Sequence, residues 1–199
     1  MANLITIVGN SGVGKTTFTQ QLCQLAPFVT GLEQHAERPF QKQFSLDLHK
    51  YALPNQVDYL LFRAEQELTI RKSDSTGVLD GGLDQDFFVF TRHFYRKGYL
   101  TEGEFKLCER FYLLWREILP PPDLIVRLEA PIEVIARRHA RRNRSLEIAR
   151  LEDLAALEAL LEEWLGNVPA TSLLTVDASQ DDPGYGEGVN QVMAWMRSL

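Results

Sequence analysis

Eight residues near the start of the chain, Gly9-Asn10-Ser11-Gly12-Val13-Gly14-Lys15-Thr16, fit G-x4-G-K-[ST] in full. They constrain the fold more than any other stretch. The run before them, Leu4-Ile5-Thr6-Ile7-Val8, is short, apolar and rich in β-branched side chains, so it reads as a buried strand. A helix is predicted behind them, from about Lys15 to Leu25 and ending near Pro27. Strand, glycine-rich turn and helix in that order form a loop that holds phosphate. The glycines let the backbone curl until several N–H groups point inward, and the helix N-terminus adds partial positive charge. Gly9 through Thr17 are therefore the predicted ATP-binding loop. Within it Lys15 reaches the β- and γ-phosphates, and the Thr16 hydroxyl ligates Mg²⁺.

Further along, strands alternate with helices. Phe28 to Leu32 reads as a second strand, and Pro39 to Pro54 as irregular or weakly helical. Helices are predicted over Gln56–Lys72, Leu83–Lys97, Thr101–Leu119, Pro131–Arg142 and Leu151–Trp164, with a short one closing the chain. Strands are predicted at Gly77–Asp80, Asp123–Leu128 and Ser172–Val176. This alternation implies a parallel sheet covered on both faces. A length of 199 residues suits one domain spanning 1–199, and 45% apolar residues suffice for its core.

A loop of this kind works with a carboxylate near the metal, and Asp80, at the end of Gly77-Val78-Leu79, is placed to supply it. Asp80 also reads as a turn aspartate, since Gly81-Gly82 follows. There is no N-K-x-D to read guanine and no L-S-G-G-Q of a transporter ATPase. Arg137, Arg138, Arg141, Arg142 and Arg144 put five positive charges within eight residues of a chain whose net charge is −6. Such a cluster suits a positive lid closing over transferring phosphates, as in small-molecule kinases. A solvated helix face and an RNA-binding patch are its alternatives.

With these residues in view, the chain resembles the deoxynucleoside kinase family, especially its bacterial deoxyadenosine and deoxyguanosine members. The likeness runs from the N-terminus to at least Trp164. Glu33-Gln34-His35-Ala36-Glu37-Arg38-Pro39 is similar to the family's E-P-x-x-x-N-P, with Arg38 in place of asparagine. Gln56 and Arg63 stand seven apart, as the family's glutamine and arginine do. Asp80-Gly81-Gly82 occupies the place of an acid-Arg-Ser triplet, and Asp86 that of a later aspartate. Arg142-Asn143-Arg144 with Glu147 looks like the family's R-G-R-x-x-E lid, with Arg138 as the earlier lid arginine.

The resemblance implies a three-layer α/β/α P-loop kinase fold, a five-stranded parallel sheet in the order 2-3-1-4-5, and an Arg-rich lid over about 138–150. It implies ATP-dependent phosphorylation of the 5′-hydroxyl of a nucleoside or deoxynucleoside, of the purine or deoxycytidine kind. Glu33 would be the general base, with Lys15, Arg142 and Arg144 the other catalytic groups. Arg138 and Arg142 would join the ATP site, Thr16 and Asp80 the metal site. Glu33, Gln56, Arg63, Asp86 and Glu147 would bind the acceptor. A homodimer joined through helices is also implied, and Phe105, Leu107, Phe111, Tyr112, Leu114 and Trp115 would permit its seam.

Two positions depart from the pattern. Gly81 stands where the triplet arginine belongs, and Arg38, Arg92 or a lid arginine would have to supply that charge. Ser45 replaces a tyrosine that holds the sugar. These departures keep two other readings open: a nucleotide-binding protein whose catalysis has lapsed, and a kinase for another small alcohol. Composition narrows the remainder. The acidic balance argues against nucleic acid as a partner. No apolar run approaches the roughly 20 residues of a membrane helix. Two distant cysteines, Cys23 and Cys108, and no secretory leader point to the cytoplasm.

Overall fold

The computed structural model describes residues 1–31, 38–141, 150–180 and 185–198. Its sheet contains β1 (Leu4–Val8), β2 (Val29–Gly31), β3 (Gly77–Asp80), β4 (Leu124–Glu129) and β5 (Leu173–Asp177). All four pairings are parallel. The order is β2-β3-β1-β4-β5, as the resemblance implied. The helices among the described residues are α1 (Lys15–Leu25), α2 (Gln41–Leu46), α3 (Leu48–Arg71), α4 (Leu83–Gln85), α5 (Arg92–Arg96), α6 (Glu102–Ile118), α7 (Ile132–Arg141), α8 (Leu154–Leu165) and α9 (Gly186–Arg197).

Strand alternation sorts the core into layers. Ile5, Ile7, Val78, Val126 and Leu128 pack with Phe18 and Leu22 of α1, Ile135 of α7, and Val189 and Val192 of α9. Val8 and Ile125 pack on the opposite face with Leu157, Leu160, Leu161 and Trp164 of α8. Leu4 and Leu79 face Ile70 of α3 on that same side. The sheet is thus covered twice, and β1 lies at its centre between β3 and β4. Parallel strands leave their carboxyl ends on one edge, where ligands of open α/β sheets bind.

Two stretches differ in detail from the sequence reading. The segment expected to be irregular or weakly helical from Pro39 to Pro54 contains α2 and the first turns of α3, so its helical reading holds and Pro54 lies inside a helix. Asp47 caps α3 by accepting the Lys50 N–H at 3.0 Å. Phe44 and Ala52 are buried with Phe94 and Leu100. Packing of these early turns outweighs the roughly 3 kcal/mol that proline costs within a helix. The helix expected over Leu83–Lys97 is broken into α4 and α5 by a π-helical turn, Asp86–Thr91. Its widened backbone leaves the Asp86 carbonyl able to accept from the Thr91 hydroxyl at 2.9 Å.

Candidate active site

The phosphate-type loop sits where β1 runs into α1. Gly9 has φ +146°, and a Cβ there would lie 2.7 Å from the Leu128 carbonyl oxygen, so only glycine fits. Lys15 folds back over the loop, its Nζ donating to the carbonyls of Gly9 at 2.9 Å and Asn10 at 3.1 Å. The Asn10 side chain faces away from the loop. Its Nδ2 donates to the Leu154 carbonyl and to Glu158, both at 2.8 Å, which moors the loop to α8.

Thr16 and Asp80 meet, although 64 positions separate them. The Thr16 hydroxyl donates to Asp80 Oδ2 at 2.5 Å. Register explains this: Asp80 is level with Ile7 of β1, just before the loop begins. Asp80 is 1% exposed, and its Oδ1 is buried without a hydrogen-bond partner. A buried carboxylate oxygen with no donor, beside a hydroxyl and a phosphate loop, fits a hard, oxygen-seeking cation such as Mg²⁺. No group of three or more metal-binding side chains exists among the described residues.

Asp86 anchors a second cluster. Arg63 Nε donates to its Oδ2 at 2.9 Å, and Gln56 Nε2 donates to its backbone carbonyl at 3.1 Å. All three side chains are buried. Spacing on α3 puts Gln56 and Arg63 on one face, and the π-helical turn delivers Asp86 to it. The segment Asp80–Asp86 therefore carries the metal-type carboxylate at one end and this polar cluster at the other.

The other residues singled out in the sequence have contacts of their own. Arg138 Nη1 donates to the carbonyls of Val13 at 3.2 Å and Ala178 at 2.6 Å, and Nη2 to that of Gln180 at 2.7 Å. Those contacts brace the loop against the segment after β5. The Ser45 side chain is exposed and donates to the Lys42 carbonyl of its own helix. Arg38 is held by Asp58 at 2.7 Å and over the Phe62 ring. Arg92 pairs with Glu163 of α8. Neither stands in for the missing triplet arginine by those contacts. Gly81 instead has φ +84°, and Arg63 Nη2 lies 3.0 Å from where its Cβ would be. Glu33, Arg142, Arg144 and Glu147 lie outside the described residues.

Other residues near the site carried no motif. Gln85 bonds both backbone groups of Gly9. The Tyr185 hydroxyl packs so closely on Gly14 that a Cβ there would overlap it. Behind the site Arg116 of α6 donates to Glu67 at 2.8 and 3.0 Å and to Asp84 at 2.8 Å. Tyr112 donates to the same Asp84 oxygen, and Glu67 accepts the Leu83 N–H. Burial pushes the Glu67 carboxyl up, and the nearby Asp84 charge adds to this against the pull of Arg116. The only hint in the sequence is that Asp84, Gln85 and Asp86 interrupt an otherwise apolar run.

The sequence matches the family model of deoxynucleoside kinases over residues 5–195. It is 25% identical over 175 residues to a deoxyadenosine/deoxycytidine kinase of Bacillus subtilis, covering 86% of this chain and 81% of that one. It is 23% identical over 188 residues to a deoxyguanosine kinase of the same organism, covering 91% and 89%. A deoxyadenosine kinase from M. mycoides, solved with dCMP and a flexible dCDP, superposes with a TM-score of 0.83 at 23% identity. That match covers 98% of this chain and 100% of the other.

Proposed function

The chain belongs to the deoxynucleoside kinase family, and on that premise we propose that it transfers the γ-phosphoryl group of ATP to the 5′-hydroxyl of a deoxynucleoside, a purine or deoxycytidine. The observation that carries this reading is the shared segment Asp80–Asp86. It holds the donor loop through Thr16 at one end and the Gln56–Arg63–Asp86 cluster at the other. The loop amides and Lys15 hold the phosphates. Thr16 and Asp80 would hold Mg²⁺, which shields phosphate charge when bound. Glu33 takes the proton of the acceptor hydroxyl. That oxygen then bonds to the γ-phosphorus, the bond to the β-bridging oxygen breaks, and ADP leaves. Arg142 and Arg144, with Arg138 at the root of the lid, stabilise the charge in transit.

At the acceptor end, a guanidinium donates to a ring nitrogen while the Asp86 carboxylate accepts from an exocyclic amine. Adenine and cytosine present both groups side by side, and thymine does not. Glu147 completes the acceptor site from the lid. A homodimer is proposed through the outward side of α6. Leu107, Leu113, Leu114 and Ile118 are exposed there, each about half. Arg110 and Glu117 flank them two turns apart, so an antiparallel second copy pairs opposite charges. Tyr112 is buried within the protomer, and Phe105, Phe111 and Trp115 pack against its core. Four of the six predicted seam residues therefore pack inward, and Leu107 and Leu114 are the two on the outward side.

The test is incubation with ATP and Mg²⁺ against the four deoxynucleosides, the ribonucleosides and a blank, with products read by mass spectrometry. A deoxyadenosine, deoxyguanosine or deoxycytidine monophosphate is expected. It should fall at least about 100-fold in both Lys15→Ala and Glu33→Gln. Gly81 favours a second reading, a nucleotide-binding protein without turnover. Tight ATP binding with no product from any acceptor would establish that reading instead.

A further inference from the structure

We propose that Gln85 is a positioning residue for the donor loop, the group that lets Lys15 leave its resting contacts for the phosphates; this rests on the kinase reading above. Gln85 is 2% exposed and lies in α4 beside Asp86. Its side-chain carbonyl accepts the Gly9 N–H at 3.2 Å, and its Nε2 donates to the Gly9 carbonyl at 3.1 Å. One amide thus satisfies both backbone groups of the first loop glycine. The same Gly9 carbonyl accepts from Lys15 Nζ at 2.9 Å.

The consequence concerns what happens when phosphates arrive. Lys15 then turns toward them, and the Gly9 carbonyl, a buried group, loses one of two donors. A buried carbonyl left without a donor is costly, so an unshared carbonyl would hold the lysine back. Gln85 supplies the second donor, and the carbonyl stays satisfied throughout. The Gly9 N–H is fixed by the same amide, which holds the loop in shape while the lysine moves. Because Asp86 follows directly, the segment that carries the acceptor cluster also sets the donor loop.

Two variants test this, with calorimetric binding of ADP and of a non-hydrolysable ATP analogue as the first readout and steady-state kinetics as the second. Gln85→Met keeps the volume and removes both bonds. Donor affinity should fall about tenfold, with the donor KM raised and the acceptor KM unchanged. Gln85→Glu keeps an acceptor for the Gly9 N–H but presents a charged oxygen to the Gly9 carbonyl and attracts Lys15. Its donor affinity, taken as a ratio to the unmodified protein at each pH, should be lowest near pH 8. It should recover toward about pH 5 as the carboxyl regains a proton and becomes a donor. A packing role alone gives no such recovery. Circular dichroism establishes that each variant is folded, and if Gln85→Met is not, the pH series on Gln85→Glu decides. Unchanged donor affinity in a folded variant, equal rises in both KM values, or a flat ratio overturns the proposal. Failure of the unmodified protein to bind nucleotide at all overturns the kinase reading instead.

Discussion

Gly81 shows how one backbone angle limits chemistry. With φ at +84°, any side chain there pays the left-handed penalty of about 1–2 kcal/mol. The space above it is also taken, since the Arg63 guanidinium stands 3.0 Å from a Cβ. Restoring the family's arginine by Gly81→Arg should therefore not raise turnover. It should shift Arg63 off Asp86, raise the acceptor KM and lower the urea midpoint, while Gly81→Ala lowers the midpoint alone. A Gly81→Arg protein as stable as the original with a higher kcat would show that the missing charge is all this site lacks. The contact with Arg63 could not be read from the sequence, because it depends on how α3 packs against the turn after β3. The loop glycines, Lys15 and Thr16 were legible, because their spacing is local and their chemistry needs that spacing.

Helices and strands were read well where a period and a cap coincided. Thr101 and Glu104 form a reciprocal cap at the start of α6, and that helix lies within the predicted span. The π-helical turn at Asp86–Thr91 has no such signature, since Leu83–Lys97 shows apolar residues at ordinary helical spacing. Pro54 marked the predicted helix start at Gln56 too late, a local signal overridden by packing, since α3 begins at Leu48. Beyond that turn, α5 meets the 3₁₀ turn Leu151–Asp153 that precedes α8. His93 Nε2 lies 3.2 Å from Asp153 Oδ1, and Lys97 Nζ bonds the same oxygen at 2.8 Å. Burial holds the His93 imidazole below its ordinary range, against the pull of Asp153. Burial also opposes the Asp153 charge, but the bonds from Lys97 and the Arg150 N–H, with His93 nearby, keep its carboxyl below the usual range. Both depressions stabilise the fold at high pH. The His93 contribution is complete above about pH 6.5 and is lost as pH falls through the lower folded value. That of Asp153 is lost further down, below about pH 3.9. A thermal melt series should show the midpoint dropping between pH 7 and pH 5, with His93→Gln flatter across that window. Parallel curves would remove His93 from the acid limb.

The assembled chain brings to its donor loop contacts from β3, α4, α7, α8 and the residue before α9. The sheet order that permits this was legible only through the resemblance, because alternation of strands and helices does not rank neighbours. No helix among the described residues is long and apolar enough to cross a membrane. The outward leucines of α6 are the face on which the proposed homodimer is tested. Leu114→Glu should convert a dimer to a monomer in sedimentation, with the fold unchanged by circular dichroism. A monomeric unmodified protein would instead leave that surface open to solvent.

The mooring of Asn10 to Leu154 and Glu158 spans 144 and 148 positions of chain. Synthesis runs from the N-terminus, so the complete motif leaves the ribosome long before its supports exist. A nascent chain ending at Leu119 has every glycine of the loop, Lys15 and Thr16. It lacks β4, which forms one wall of β1, and the α8 carbonyl and carboxylate that moor Asn10. The loop in its moored form is thus complete only once α8 has been made. The central strand keeps one edge unpaired until β4 has been made. That exposure is the kinetic cost of a loop whose supports follow it by 144 and 148 positions.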